Sequence, residues 1–161
     1  AVEAAVGAWL AVSAPRSRGD TQTRLDCATS YQDQAAVGSA TAASGVPRED
    51  IFLLSKIGPS NPLGYQNALD EFQTILTAHQ TTYVDALLVH WPFQNPSAGN
   101  VTNNATVSSD PACQHKSPQF NATKCRLDTW RAMVEIYESG AAKTIGVSNY
   151  HIDELQEIID A

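Results

Sequence analysis

Four short apolar runs, separated by segments of helix length, constrain the fold of this chain more than any other feature. They are TRLDCA (23–28), IFLLSK (51–56), VDALLVH (84–90) and AKTIGVSN (142–149). Strands that alternate with helices in this way build βαβ units, whose parallel strands are joined by right-handed crossovers. The unbroken run in IFLLSK suits a strand covered on both faces. Helices are expected over residues 1–14, 33–43, 63–80 and 127–139, with a last one over 152–159. Gly45-Val46-Pro47 and Gly140 mark two of the stops. A polar turn is expected over 15–22, and residues 93–126 read as one long irregular connection.

Composition narrows the range of partners. The chain has 161 residues, 43% hydrophobic and 17% charged, which suits a single domain with a sizeable core. Its formal charge of -7 opposes adsorption to nucleic acid or anionic lipid, and no segment gathers Lys and Arg into a run. A small molecule or a protein is the expected partner. No apolar stretch approaches the roughly 20 residues that span a bilayer. The opening AVEAAVGAWLAVSA lacks a leading basic region and reads as an apolar helix rather than a signal peptide.

Residues suited to proton transfer fall at or just past the ends of these runs: Asp26 and Tyr31 after the first, Lys56 closing the second, His90 closing the third. In a parallel α/β barrel the catalytic groups collect at the C-terminal ends of several strands. Taken singly, a terminal Lys is a solvated cap, a terminal His a hydrogen-bonded core residue and Asp26 a local backbone acceptor. The pair Ser148-Asn149 reads as a cap for the helix beginning near Ile152. Cys27, inside a strand, reads as core rather than redox-active.

The local contexts resemble the aldo-keto reductase family across nearly the whole chain. The resemblance is carried by Leu25-Asp26-Cys27-Ala28 followed by Tyr31, by Leu54-Ser55-Lys56, by Asp85-Ala86-Leu87-Leu88-Val89-His90-Trp91-Pro92 and by Gly146-Val147-Ser148-Asn149. Trp130-Arg131-Ala132-Met133 and Tyr137-Glu138-Ser139-Gly140 resemble the helix that precedes the last of these strands. Where the family usually continues its Tyr with a Gly-Asn-Glu-like stretch, this chain has Gln32-Asp33-Gln34.

The resemblance implies a partial (β/α)8 TIM barrel, an α/β fold of about four βα units with parallel strands, and reduction of aldehydes or ketones with NADPH. Tyr31 is implied as general acid, supported by Lys56, Asp26 and His90. Ser148 and Asn149 are implied to hydrogen-bond the nicotinamide carboxamide, Trp91 is a candidate for the substrate pocket, and residues 93–126 take the place of a substrate loop. A free phenol has a pKa of roughly 10, so a Tyr acid needs a neighbour that stabilises phenolate, and a Lys cation held by an Asp supplies one. A neutral His90 would donate to the carbonyl oxygen. Set against this reading are a non-catalytic binding or regulatory protein of the same fold and an inactive truncated chain. A whole barrel has eight βα units in about 250 residues. The family's first strand and its C-terminal cofactor-binding part are expected to be missing here.

The expected compartment is cytoplasmic by resemblance. The secretory pathway is the alternative, indicated by Asn100-Val-Thr, Asn104-Ala-Thr and Asn121-Ala-Thr, with Cys113 and Cys125 as candidates for a short disulfide. No pair of cysteines has zinc-ligand spacing with a second pair, so no metal site is expected.

Overall fold

The computed structural model describes residues 1–13, 23–93 and 108–161. The turn expected over 15–22, residues 94–107 of the long connection and the Asn100 and Asn104 motifs lie outside the described residues. The elements run α1 (Val2–Ser13), β1 (Thr23–Asp26), α2 (Gln34–Ala43), β2 (Ile51–Ile57), α3 (Tyr65–His79), β3 (Ala86–Val89), α4 (Ala122–Glu138), β4 (Ile145–Val147) and α5 (Ile152–Ile159). The strands form one four-stranded sheet in the order β1-β2-β3-β4, every pair parallel. Strands in sequence order, each crossing over through a helix, are one continuous arc of a (β/α)8 barrel wall.

The pleat separates two environments. On β2, Ile51, Leu53, Ser55 and Ile57 are buried, whereas Phe52 and Leu54 between them are half-buried. The same alternation puts Leu87 and Val89 of β3 in the core and leaves Leu88 partly exposed. The helices therefore cover one face of the sheet. The other face of β2, which carries Phe52 and Leu54, is only half-buried in this four-stranded arc, short of the cover on both faces expected from its unbroken apolar run. The core joins Ile51, Leu53, Val84, Leu87 and Val89 to Phe72 and Ile75 of α3 and to Met133 and Ile136 of α4. Gly38 lets α2 lie against α3: a Cβ there would stand 2.2 Å from the Ala78 carbonyl oxygen.

Two sequence expectations move. Helix α4 begins at Ala122, five residues before the expected start near Leu127, because Asn121 caps it: the Asn121 Oδ1 accepts the Lys124 N–H at 2.9 Å. Cys113 and Cys125 are joined as a disulfide, which ties the short 3-10 turn Pro111–Cys113 to the first turn of this helix. The pair Ser148-Asn149 does not cap α5. His151 stands at that position, and its backbone N–H donates to Glu154 at 2.9 Å.

At the N-terminal ends of the strands Asp85 forms a clamp. Its carboxylate accepts the Leu53 N–H at 3.0 Å, Arg48 at 2.9 Å and Lys143 at 2.9 Å, so one side chain just before β3 holds groups beside β2 and β4. Burial would push this carboxyl up, but the Leu53, Lys143 and Arg48 donors outweigh it and hold its pKa below the usual value. Asp85→Ala strands a buried N–H and two cations. We expect a loss of about 3 kcal/mol, the lower end for a broken buried pair because Lys143 is half exposed, measured by urea unfolding. A loss under about 1 kcal/mol would mean that the clamp contributes little.

Candidate active site

The opposite ends of the same strands gather the sequence candidates. Asp26 is the last residue of β1, Lys56 is next to last in β2, and His90 and Ser148 directly follow β3 and β4. Sheet-type bonds continue past the strand ends, with the His90 N–H on the Ile57 carbonyl at 3.0 Å and the Ser148 N–H on the Val89 carbonyl at 2.8 Å. These bonds fix the relative heights of the four positions.

Lys56 is the hub. It is buried to 5% relative exposure, and its ammonium donates to Asp26, to the Cys27 carbonyl at 3.2 Å and to the Tyr31 hydroxyl at 3.3 Å. An ammonium has three N–H donors, and three acceptors surround this one. A buried cation is tolerated only when so paired. Tyr31 ends the 3-10 turn Thr29–Tyr31 and is 48% exposed, while its hydroxyl accepts from Lys56.

His90 stands edge-on to the Tyr31 ring, with centroids 5.5 Å apart. Its Nδ1 lies 3.3 Å from the Ser30 hydroxyl. Burial, reinforced by the Lys56 charge, holds the imidazole below its ordinary pKa against the opposing effects of the Gly58 backbone and Asp26, which favours the neutral ring. Trp91 is 37% exposed and leans between His90 and Phe93, at centroid distances of 6.5 and 5.8 Å. Asn149 adopts φ 60°, and its amide donates to the His90 carbonyl and to the Ser148 hydroxyl, each at 2.8 Å. Cys27 is a free, buried thiol, pushed up to about 12 chiefly by burial, which makes it inert.

The residues after Tyr31 solve their local problem in an unusual way. Gln32 takes a left-handed conformation, φ 58°, at a position where a glycine would be free of the cost of about 1 kcal/mol. Gln34 donates to the Ser55 hydroxyl at 2.7 Å inside the core, joining the start of α2 to the residue before Lys56.

The Aldo/keto reductase family model matches residues 20–161. The chain belongs to the aldo-keto reductase family. It is 30% identical over 135 residues to a glyoxal reductase of Bacillus subtilis, covering 84% of this chain and 38% of that protein. It is 32% identical over 141 residues to a glycerol 2-dehydrogenase (NADP(+)) of Saccharomyces cerevisiae, covering 87% and 44%. The crystal structure of an aldo/keto reductase from Brucella melitensis superposes with a TM-score of 0.70 at 31% identity, over 99% of this chain and 48% of that one. The chain thus spans less than half the length of these aldo-keto reductases.

Sequence reading missed the groups behind Asp26, Tyr31, Lys56 and His90: Ser30 against His90, the Cys27 carbonyl against Lys56, and Glu71. The first two involve a neighbour in sequence and a backbone atom, neither of which carries a pattern. Glu71 did carry a signal, since it falls on the buried stripe of α3 with Ala68, Phe72, Ile75 and His79. Among the described residues, no helix is long and apolar enough to cross a membrane, and no three His, Cys, Asp or Glu side chains gather to hold a metal ion.

Proposed function

We propose that this chain carries the proton-transfer site of an NADPH-dependent carbonyl reductase that converts aldehydes or ketones to alcohols, with Tyr31 as general acid. The observation that carries the proposal is the Lys56 ammonium, which bonds Tyr31 on one side and Asp26 on the other.

The Tyr31 hydroxyl gives its proton to the carbonyl oxygen of the substrate as negative charge grows there. The phenol oxygen is then left with the charge, and Lys56 already stands beside it as a preorganised cation. Asp26 keeps that cation oriented. His90, neutral and fixed by Ser30, offers a ring N–H to the same substrate oxygen and sets its approach. Trp91 and Phe93 supply an apolar wall beside His90. Ser148 and Asn149 are suited to the nicotinamide end of the cofactor: a primary carboxamide carries both a donor and an acceptor, and the Asn149 amide oxygen and the Ser148 O–H complement them. NADPH held there would supply the hydride that the carbonyl carbon takes up. The carbonyl compound is the small-molecule partner, and the name of the Bacillus relative suggests glyoxal as a probe.

The test is glyoxal-dependent loss of NADPH absorbance in the full-length protein. Turnover is expected. NADPH binding without any turnover would instead favour a binding or regulatory protein.

A further inference from the structure

We infer that Glu71 is a positioning residue of the Tyr31–Lys56–His90 site, tying the turn that carries Tyr31 to the strand end that carries Lys56. The inference rests on the carbonyl-reductase reading above.

Glu71 lies on α3 and is buried to 6% exposure. Its Oε1 accepts the Gly58 N–H at 3.0 Å, and the Thr29 and Asn61 side chains hydrogen-bond the same carboxyl group. These anchors sit immediately beside the reacting groups. Gly58 follows Lys56 by two residues, turns the chain at φ 68°, and offers its backbone to the His90 ring. Thr29 opens the turn that ends at Tyr31, its hydroxyl lies 3.4 Å from the Lys56 carbonyl, and the intervening Ser30 meets His90 Nδ1. One buried carboxyl group therefore holds two segments, and each of them touches His90. An unassisted buried acid is costly, and the hydrogen bonds from Gly58, Thr29 and Asn61 offset part of that cost.

Protonation is what makes the role readable. An ionised carboxylate accepts from Gly58 and Thr29 together, whereas the protonated acid gives up one acceptor site to its own hydrogen. Burial outweighs the three donors and pushes the group up to about 7. Those donors are uncharged. Asp70, on the same helix, lines the flanking cavity of about 110 Å³, and His90 meets Gly58 from the other side.

The experiment measures kcat and KM for glyoxal with NADPH across pH in the full-length protein and in Glu71→Gln and Glu71→Leu. Parent kcat is expected to fall as pH drops through about 7, and this inflection disappears in Glu71→Gln, which keeps the volume and the Gly58 contact. Glu71→Leu is expected to lose about 10- to 100-fold in kcat with KM little changed, the scale of a small misplacement of reacting groups. If the leucine variant does not fold, the pH profile of the glutamine variant decides alone. A folded parent without turnover overturns the function and this inference together. An active parent whose inflection survives in Glu71→Gln overturns the inference only.

Discussion

Tyr31→Phe is expected to lower kcat for carbonyl reduction by about 10²- to 10⁴-fold, the range that a positioned general acid contributes. Removing one oxygen leaves the ring in place beside His90 and beneath Lys56, whose ammonium stands 4.8 Å from the ring centroid. Lys56 retains Asp26 and the Cys27 carbonyl as acceptors. The fold should therefore hold, and the affinity for NADPH, read by fluorescence titration, should be nearly unchanged. Full turnover in the phenylalanine protein would remove Tyr31 from the mechanism. A loss of cofactor affinity equal to the loss of kcat would place the hydroxyl in binding rather than in proton transfer.

The second large effect concerns stability against pH, where two buried groups of α3 oppose each other. Burial pushes Glu71 from 4.5 up to about 7, against the hydrogen bonds from Thr29, Gly58 and Asn61. The folded state thus holds that proton more tightly than the unfolded state. The stability it brings is complete below about 4.5 and is lost as pH rises through about 7. Burial, helped by the Arg48 charge, takes His79 from 6.5 down to about 4. Its contribution is complete above about 6.5 and is lost as pH falls through about 4. Each shift corresponds to about 3 kcal/mol, at about 1.4 kcal/mol per pH unit. Between these limits the two largely cancel. Subtracting the parent's unfolding free energy from that of Glu71→Gln should give a difference that grows by about 3 kcal/mol from the acid to the neutral end, and for His79→Leu a difference that shrinks by as much. Differences that stay flat with pH would show that neither group is held as described.

His79 also shows what a helical reading of the chain conceals. It and Glu71 occupy stripe positions of α3 that an apolar residue would fill, and the periodicity that locates the helix passes over them because Ala68, Phe72 and Ile75 already define the buried side. The strand ends were legible for the opposite reason. Lys56 and His90 interrupt runs of apolar residues, and a polar group at the end of a strand has few places to be other than the rim. The start of α4 was hidden by composition, since Asn121-Ala122-Thr123-Lys124 reads as a polar loop until the Asn121 side chain is seen on the Lys124 N–H. The partners of Asp85 were unreadable because they come together only when three strands lie side by side in parallel register. The sequence motif contained Asp85 without indicating that its work lies at the far end of the sheet from Lys56.

That placement divides the molecule's tolerance to change. Arg48, Asp85 and Lys143 brace the entry of the chain into three strands, while Asp26, Lys56 and His90 stand at the exits. On the carbonyl-reductase reading proposed above, substitutions around Trp91 and Phe93 are expected to change which carbonyl compound is admitted without loosening the brace, which lies at the other end of the strands. For anyone evolving new specificity on this scaffold, the rim is the surface to randomise and Asp85 is the residue to leave alone.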